Sequence, residues 1–411
     1  MSKRQRALII GGSLGGLFAA HWLRTIGWDV AVFERVDDDL ASRGAGIGTH
    51  EELLAGLRRL GLPADESIGI QVRQRICLDR NGRRVRQLDL PQFMSAWARI
   101  YRLLKDGFPA AGYRFGAGLE RIEQDASGVT AVFADGSRER GDLLVGADGI
   151  RSTVRGLLAP EAQPRYAGYV AWRGMADEWD FPPEVHAELF EQYTFCLPEG
   201  EMMLSYPVPG RDNDTRPGRR GYNFIWYRPT EELEELPLLC TDAAGHCHGQ
   251  AIPPPLIRPE VIAKFRSDAQ ALLAPQIAGI VIRIAQPFFQ AIFDLESPNL
   301  AWGRVALLGD AAFVARPHVG MGVTKAALDA ECLARAIRDS GDDLGAALAR
   351  YDRERRQFGS RIVARARRLG AYIEAQRKPL AARTDHERQP PPETLMREIG
   401  SMAVNLKEIA G

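Results

Sequence analysis

The chain has 411 residues, 45% hydrophobic and 26% charged, with Lys+Arg and Asp+Glu each counting 53 for a formal net charge of zero. That length predicts two domains with an ample core, and the balanced charge excludes a general nucleic-acid binder, whose phosphate contacts need a basic excess. Five cysteines, odd in number and scattered, fit a reducing cytoplasm better than a disulfide framework.

In chain order, "MSKRQRALIIGG" opens on an apolar run too short for a signal peptide or a membrane span. "ALII" (7–10) reads as a strand, "LGGLFAAHWLRTIG" as a helix and "DVAVFER" (29–35) as a second strand, which makes a β-α-β unit. Its first turn, "GGSLGG", departs from G-x-G-x-x-G by placing Ser13 at the middle glycine position. Gly11 serves the tight turn and Gly16 the close helix–strand packing, while Ser13 and Leu14 stand where a phosphate meets the helix start. Glu34 ends the second strand 23 residues after Gly11, placed to accept hydrogen bonds from a ribose diol, and Arg35 follows it. A carboxylate there repels a ribose 2′-phosphate, which leaves NAD or FAD as the ligand of this unit.

"RGAGIGTHEELLAGLRRLG" (43–61) is a glycine-rich loop, its Arg43 counted with the cofactor-binding set, and then an amphipathic helix. "ICLDRNGRRVRQLDL" (76–90) reads as a hairpin around Asn81-Gly82, and "FMSAWARIYRLL" (93–104) as a helix. A strand meander follows, ending in "DLLVGADGIRSTVR" (142–155), where an apolar strand delivers Gly146, Asp148 and Gly149. From about 166 to 290 the chain is strand-rich and aromatic, with "YVAWRGM", "YTFCL", "MMLSYPV" and "YNFIWYR". This predicts a largely antiparallel sheet with one face toward a ligand or partner domain. Trp172, Tyr193, Phe195, Tyr206 and Trp226 are its candidate pocket walls, and Arg173 is expected to pair with a carboxylate inside the sheet.

"CTDAAGHCHG" (240–249) brings together Cys240, His246, Cys247 and His248, but the spacing lacks a second paired knuckle and no metal is expected. In "GRVALLGDAAFVARPHVGMG" (303–322), a buried strand delivers Asp310 at its carboxyl end, where open α/β sheets bind ligands. "GMG" then opens a helix whose free N–H groups favour an anion. The pattern stays helical to about 376, and a tail containing Pro390, Pro391 and Pro392 leads to a last short helix, read as a docking or oligomer element. An NAD dehydrogenase would use only the first of these motifs. FAD is long enough to use all three, with adenosine at Gly11 and Glu34, a ribityl hydroxyl on Asp310, and the isoalloxazine edge at Gly320, Met321 and Gly322.

In order and spacing, "GGSLGG…E", "GADGIRS" and "GDAAFVARPHVGMG" resemble the group A flavoprotein aromatic hydroxylases, the family of para-hydroxybenzoate and salicylate hydroxylases. "AGYVAWRG" (167–174), "YPVPGRDN" (206–213) and "YNFIWYR" (222–228) resemble the branch that acts on dihydroxypyridines, and the likeness fades after about 376. The resemblance implies an α/β fold: a discontinuous Rossmann-like FAD-binding domain (1–72, 93–165 and 291–375), an inserted, largely antiparallel β-sheet substrate domain (73–92 and 166–290), and C-terminal helices with a tail (376–411). It implies non-covalent FAD, NADPH or NADH as a transient co-substrate, and O2. Its reaction is hydroxylation of an electron-rich ring, 2,6-dihydroxypyridine or a related hydroxypyridine or phenol, through a flavin C4a-hydroperoxide.

By the same resemblance Pro317, Gly320 and Gly322 lie beside the flavin ring. His318 is the expected general base, since an imidazole titrates near neutral pH without perturbation, and Pro317 and Tyr193 are counted with it as catalytic. His50 and Met321 stand where relatives often have glutamine, and Trp97 where many have a phosphate-contacting arginine. The partner is a small aromatic substrate, with neither nucleic acid nor a membrane span, and the tail leaves a homodimer open. Competing readings are a flavin oxidase, epoxidase or reductase on the same scaffold, or a non-catalytic FAD-binding partner protein. The last would show an exposed apolar patch on 170–228 in place of a closed pocket.

Overall fold

The computed structural model describes residues 4–40 and 46–401. The run Ala7 to Ile10 is buried on both faces, which suits the centre of a parallel sheet. Arg6–Ile10 pairs in parallel with Asp29–Phe33 on one side and Leu143–Gly146 on the other. Val305–Leu307 adds in parallel beside Leu143–Gly146, and Ala301–Trp302 and Tyr113–Arg114 form the edges of a six-stranded sheet. Alternate residues face opposite sides. Ile9 meets the helix Leu14–Thr25, and Leu8 meets Gly141 of an antiparallel meander, Leu119–Asp125, Gly128–Phe133 and Arg138–Gly141. The helix Gly322–Ser340 packs beside Leu14–Thr25, where Gly15 and Ala326 keep the approach close.

The second sheet has nine strands, in the order Phe313–Val314, Phe288–Glu296, Arg165–Asp177, Gly221–Pro229, Met202–Val208, Gln192–Cys196, Ile70–Leu78, Arg84–Ala96 and Gly46–Gly48. It is antiparallel except where Gln192–Cys196 runs parallel to Ile70–Leu78. The long helix Leu344–Glu374 braces both sheets: the Tyr351 hydroxyl donates to the Leu307 carbonyl at 2.7 Å, and Gly370 lies against Tyr169 and His318.

Two expectations are corrected. The segment 93–104 is not one helix: the strand Arg84–Ala96 runs through Phe93 to Ala96, and the helix is Trp97–Asp106. Met94 and Ser95 pair with Gly46–Gly48, and tertiary pairing overrides the helical pattern there. The boundaries drawn at 72/73 and 92/93 therefore cut through strands. The region 166–290 also contains the helices Pro183–Leu189, Pro259–Leu272 and Pro275–Val281, each beginning with the proline that favours the first helical position. The tail does dock, and on its own chain: Leu395, Met396 and Ile399 around the helix Pro392–Glu398 are buried in the core shared with Tyr193 and Tyr206.

Candidate active site

The carboxyl ends of the parallel strands open into a cavity of about 310 Å³. Gly11, Ser13, Leu14, Glu34, Arg35, Asp148, Asp310 and Gly322 all line it. Gly11 has φ +106°, and a Cβ there would lie 2.4 Å from the Ala147 carbonyl oxygen. A Cβ at Gly16 would lie 1.8 Å from the Gly11 carbonyl, which is the helix–strand contact expected from sequence. Glu34 is buried and accepts the Gly12 N–H at 2.8 Å and the Val36 N–H at 3.0 Å. A carboxylate has about four acceptor sites, so it keeps lone pairs for a diol. Asp148 accepts from the Ser152 hydroxyl at 2.5 Å and from the Thr153 and Val154 N–H groups at 2.7 and 3.1 Å, which makes it a helix cap as well as a cavity wall. Trp97 also lines this space and stacks on Tyr101. Arg35 is the one cation among the described lining residues, and Arg43 lies outside the described residues.

Asp310 lines this cavity and is exposed to it. Desolvation raises its pKa above the ordinary carboxyl value, Lys325 opposes the rise and Asp329 adds to it. Beneath it lies a network that sequence reading missed. Lys325 is buried and donates to the Gly309 carbonyl at 2.6 Å, while Asp329 accepts the Gly309 N–H at 3.0 Å and pairs with Arg355 at 2.7 Å. These contacts fix the turn that aims Asp310. The i,i+4 spacing of Lys325 and Asp329 on one helix face was the available signal.

Asp310, Gly322 and Val323 also line a second cavity of about 740 Å³ between the sheets. Pro317, Gly320, Met321 and Gly322 form its near side, and Arg173, Tyr193, Tyr206 and Tyr227 stand on its sheet side. The two cavities thus adjoin at these residues, and the residues lining them fit FAD. Glycines leave room for a pyrophosphate at the helix start, Glu34 would meet one end, and Asp310 and the N–H groups of Gly322–Ser340 would meet the other.

Strand parity sorts the expected aromatic walls. Tyr193 and Tyr206 line the cavity. Trp172 and Trp226, paired across two strands, point to the opposite face, where Trp172 stacks on Phe265 and packs tilted against Phe289. Phe195 is fully buried behind Tyr193, 4.9 Å away, and does not reach the cavity. His318 is corrected as well. Its ring turns away from the cavity toward the long helix, its Nε2 lies 2.7 Å from the Tyr169 hydroxyl, and Tyr227 packs 4.5 Å away. Burial first and the Arg316 charge second push its pKa down to about 3, so it is neutral at working pH and cannot reach a bound ring.

Arg173 has no carboxylate partner. It lines the cavity, its buried Nε has no hydrogen-bond partner, and it forms no ion pair among the described residues. Arg316, on the same wall, is answered by Asp294 and Glu374, both at 2.8 Å. Asp310 is the one carboxylate among the described lining residues. Arg151 also lines it, so the cavity carries more positive than negative charge.

The stretch from Cys240 to His248 forms a small hairpin in which His248 binds Asp242 at 2.8 Å, and among the described residues no cluster is arranged to hold a metal. Met202–Val208 and most of Gly221–Pro229 are buried, so these strands present no broad exposed apolar face. No described helix is long and apolar enough to cross a membrane.

Residues 4–216 match the family described as FAD binding domain, and residues 166–294 match one described as FAD binding domain-like. The 2,6-dihydroxypyridine 3-monooxygenase of Paenarthrobacter nicotinovorans is 30% identical over 370 residues, covering 90% of this chain and 91% of the relative. The FAD-dependent urate hydroxylase of Klebsiella pneumoniae is 31% identical over 378 residues, covering 88% of this chain and 89% of the relative. The solved 2,6-dihydroxypyridine-3-hydroxylase of Arthrobacter nicotinovorans superposes with a TM-score of 0.87 at 28% identity, covering 97% of each chain. HpxO of Klebsiella pneumoniae, solved with FAD and uric acid, superposes with a TM-score of 0.74 at 26% identity, covering 99% of this chain and 96% of the other. The chain belongs to the FAD-binding-domain family and is an FAD-dependent monooxygenase of the aromatic hydroxylase group.

Proposed function

As a member of this family, we propose, the chain uses a reduced nicotinamide and O2 to hydroxylate an electron-rich ring, 2,6-dihydroxypyridine or a related hydroxypyridine or phenol, bound in the larger cavity as a ring oxyanion facing Arg173. The observation that carries this reading is the unpaired guanidinium of Arg173 among the tyrosines of the cavity wall. Arg173 is half-buried, and its buried Nε without a partner is costly; a charge-assisted hydrogen bond from the guanidinium to an anionic ligand removes that cost. The relative named for 2,6-dihydroxypyridine supports the same ring class.

FAD, when bound, supplies the activation of O2 to an electrophilic oxygen donor. The chain's own residues orient, exclude water and manage charge. No imidazole lines the cavity among the described residues: Tyr193 and Tyr206 have pKa values raised by burial, and His318 lies outside the cavity. Arg173 does the work a base would otherwise do, since its charge lowers the pKa of a ring hydroxyl beside it and selects the ionised form. Tyr206 donates its hydroxyl hydrogen to the Gly46 carbonyl at 3.1 Å, which leaves its oxygen lone pairs toward the cavity. The Tyr193 hydroxyl has no partner among the described residues and is free to donate to the ring.

The test is NADPH and NADH oxidation by the flavin-loaded protein, with and without 2,6-dihydroxypyridine and a phenol panel, with product mass recorded. Ring-triggered oxidation and a gain of one oxygen support the reading. Oxidation indifferent to every ring would overturn it. Arg173→Met should raise KM about 30-fold, equivalent to about 2 kcal/mol, with flavin content unchanged.

A further inference from the structure

Arg75 is a buried cation, 1% exposed, at the centre of the strand Ile70–Leu78, and no carboxylate among the described residues pairs with it. Its guanidinium donates to the Met396 carbonyl at 2.7 Å, the Ile399 carbonyl at 2.5 Å and Gln92 Oε1 at 2.7 Å. Two of those three acceptors are carbonyls from the end of the helix Pro392–Glu398, the negative end of the helix dipole. Ile399 and Gly400, just beyond that helix, line the larger cavity. We propose that the segment 391–401 is a strap that forms part of the substrate wall, and that Arg75 is the positioning residue that holds it there.

Gly400 joins three parts of the site through its own backbone. Its N–H donates to the His318 carbonyl at 2.8 Å, in the loop beside the flavin position. Its carbonyl accepts from Gln92 Nε2 at 3.0 Å and lies 3.2 Å from His50 Nε2. The other His50 nitrogen lies 3.0 Å from the Thr324 hydroxyl, in the first turn of the helix that faces the cavity. Gly400 has φ +62°, and a Cβ at Gly320 would sit 2.9 Å from the Gly400 Cα, so the strap meets the flavin loop backbone to backbone. Leu395, Met396 and Ile399 are buried, and Glu398 pairs with Arg365 at 3.1 Å, so the strap is anchored on its inner side.

Arg75 does not line the cavity and therefore acts through its neighbours. Its guanidinium lies 4.7 Å over the Tyr193 ring, whose hydroxyl is 3.6 Å from where a Gly400 side chain would begin. Loss of Arg75 frees the two strap carbonyls and lets Ile399, Gly400 and Tyr193 shift together. The effect falls on ring binding and leaves the adenosine end of the cofactor alone, because the smaller cleft uses none of these residues.

The identity of the ring rests on the proposed function, whereas the strap itself does not. In the flavin-loaded protein, Arg75→Met should raise KM for the ring about tenfold while kcat changes less than about threefold, with flavin content unchanged. Backbone amides of 396–401 should exchange with deuterium about tenfold faster, and Arg75→Lys should recover part of both effects. Ile399→Ala should keep slow exchange but favour a hydroxyquinoline over a hydroxypyridine by about tenfold in kcat/KM. Unchanged exchange in Arg75→Met overturns the role of Arg75. Fast exchange with an unchanged KM leaves Arg75 a purely structural clamp and overturns its positioning role. If Arg75→Met fails to fold, unchanged ring preference in Ile399→Ala overturns the strap as a wall. Wild-type protein that turns over no ring refutes the proposed function, and the exchange comparison still judges the strap.

Discussion

The cofactor cleft and the aromatic cavity share Asp310, Gly322 and Val323 but are made of different material. The cleft is built from backbone: glycine turns, strand ends and helix starts, most of them within short stretches of chain. The cavity is built from side chains delivered by strands far apart in sequence and closed by the tail. A backbone site tolerates almost no added atoms, whereas a side-chain site tolerates change and retunes. The two should therefore break in different ways.

The largest effect is expected in the cleft. Gly11→Ala places a methyl group 2.4 Å from the Ala147 carbonyl and forces alanine to φ +106°, at a cost of about 3 kcal/mol or more. The purified variant should carry little or no flavin and melt earlier; an unchanged flavin-to-protein absorbance ratio would show that the turn is less tight than drawn.

The cavity side should reveal itself through pH. His318 has a pKa pushed down to about 3 and His50 one pushed down to about 4, in both cases chiefly by desolvation. Below about pH 6.5 the unfolded chain binds protons that these two folded imidazoles refuse, so stability falls as pH falls. Each contributes about 1.4 kcal/mol per pH unit until its folded value is reached. Asp148 and Asp310, raised by burial, act with the opposite sign and offset part of the loss at the acid end. Denaturant titration between pH 7 and 4.5 should show the decline, and His318→Gln should make it shallower. A variant with the wild-type slope would mean that His318 is not neutral in the fold.

The smallest effect on function is expected from Trp226. It packs near Phe265 on the face away from the cavity, so Trp226→Phe should cost about 1–2 kcal/mol of stability and leave KM within about twofold. A large rise in KM with normal stability would return Trp226 to the substrate wall.

What sequence could show follows the same division. Gly11, Gly16, Glu34, Asp148 and Asp310 were all legible, because turn geometry and strand ends leave residue-type signatures at fixed spacing. The strand between Phe93 and Ala96 was read as helix because its pairing partner, Gly46–Gly48, lies some fifty positions earlier in the chain. Trp172 and Trp226 were grouped with Tyr193 and Tyr206 because composition marks an aromatic strand but not which face meets the ligand. One residue of parity moved both tryptophans to the far side.

By itself, then, the sequence determined the cofactor cleft and the family, since those rest on local backbone demands that few residues can meet. Tertiary structure alone decided that His318 is buried against Tyr169, that Arg173 stands without a counter-ion, and that Arg75 clasps the tail. Burial and pairing arise only when segments distant in the chain are brought together, and no local pattern records them.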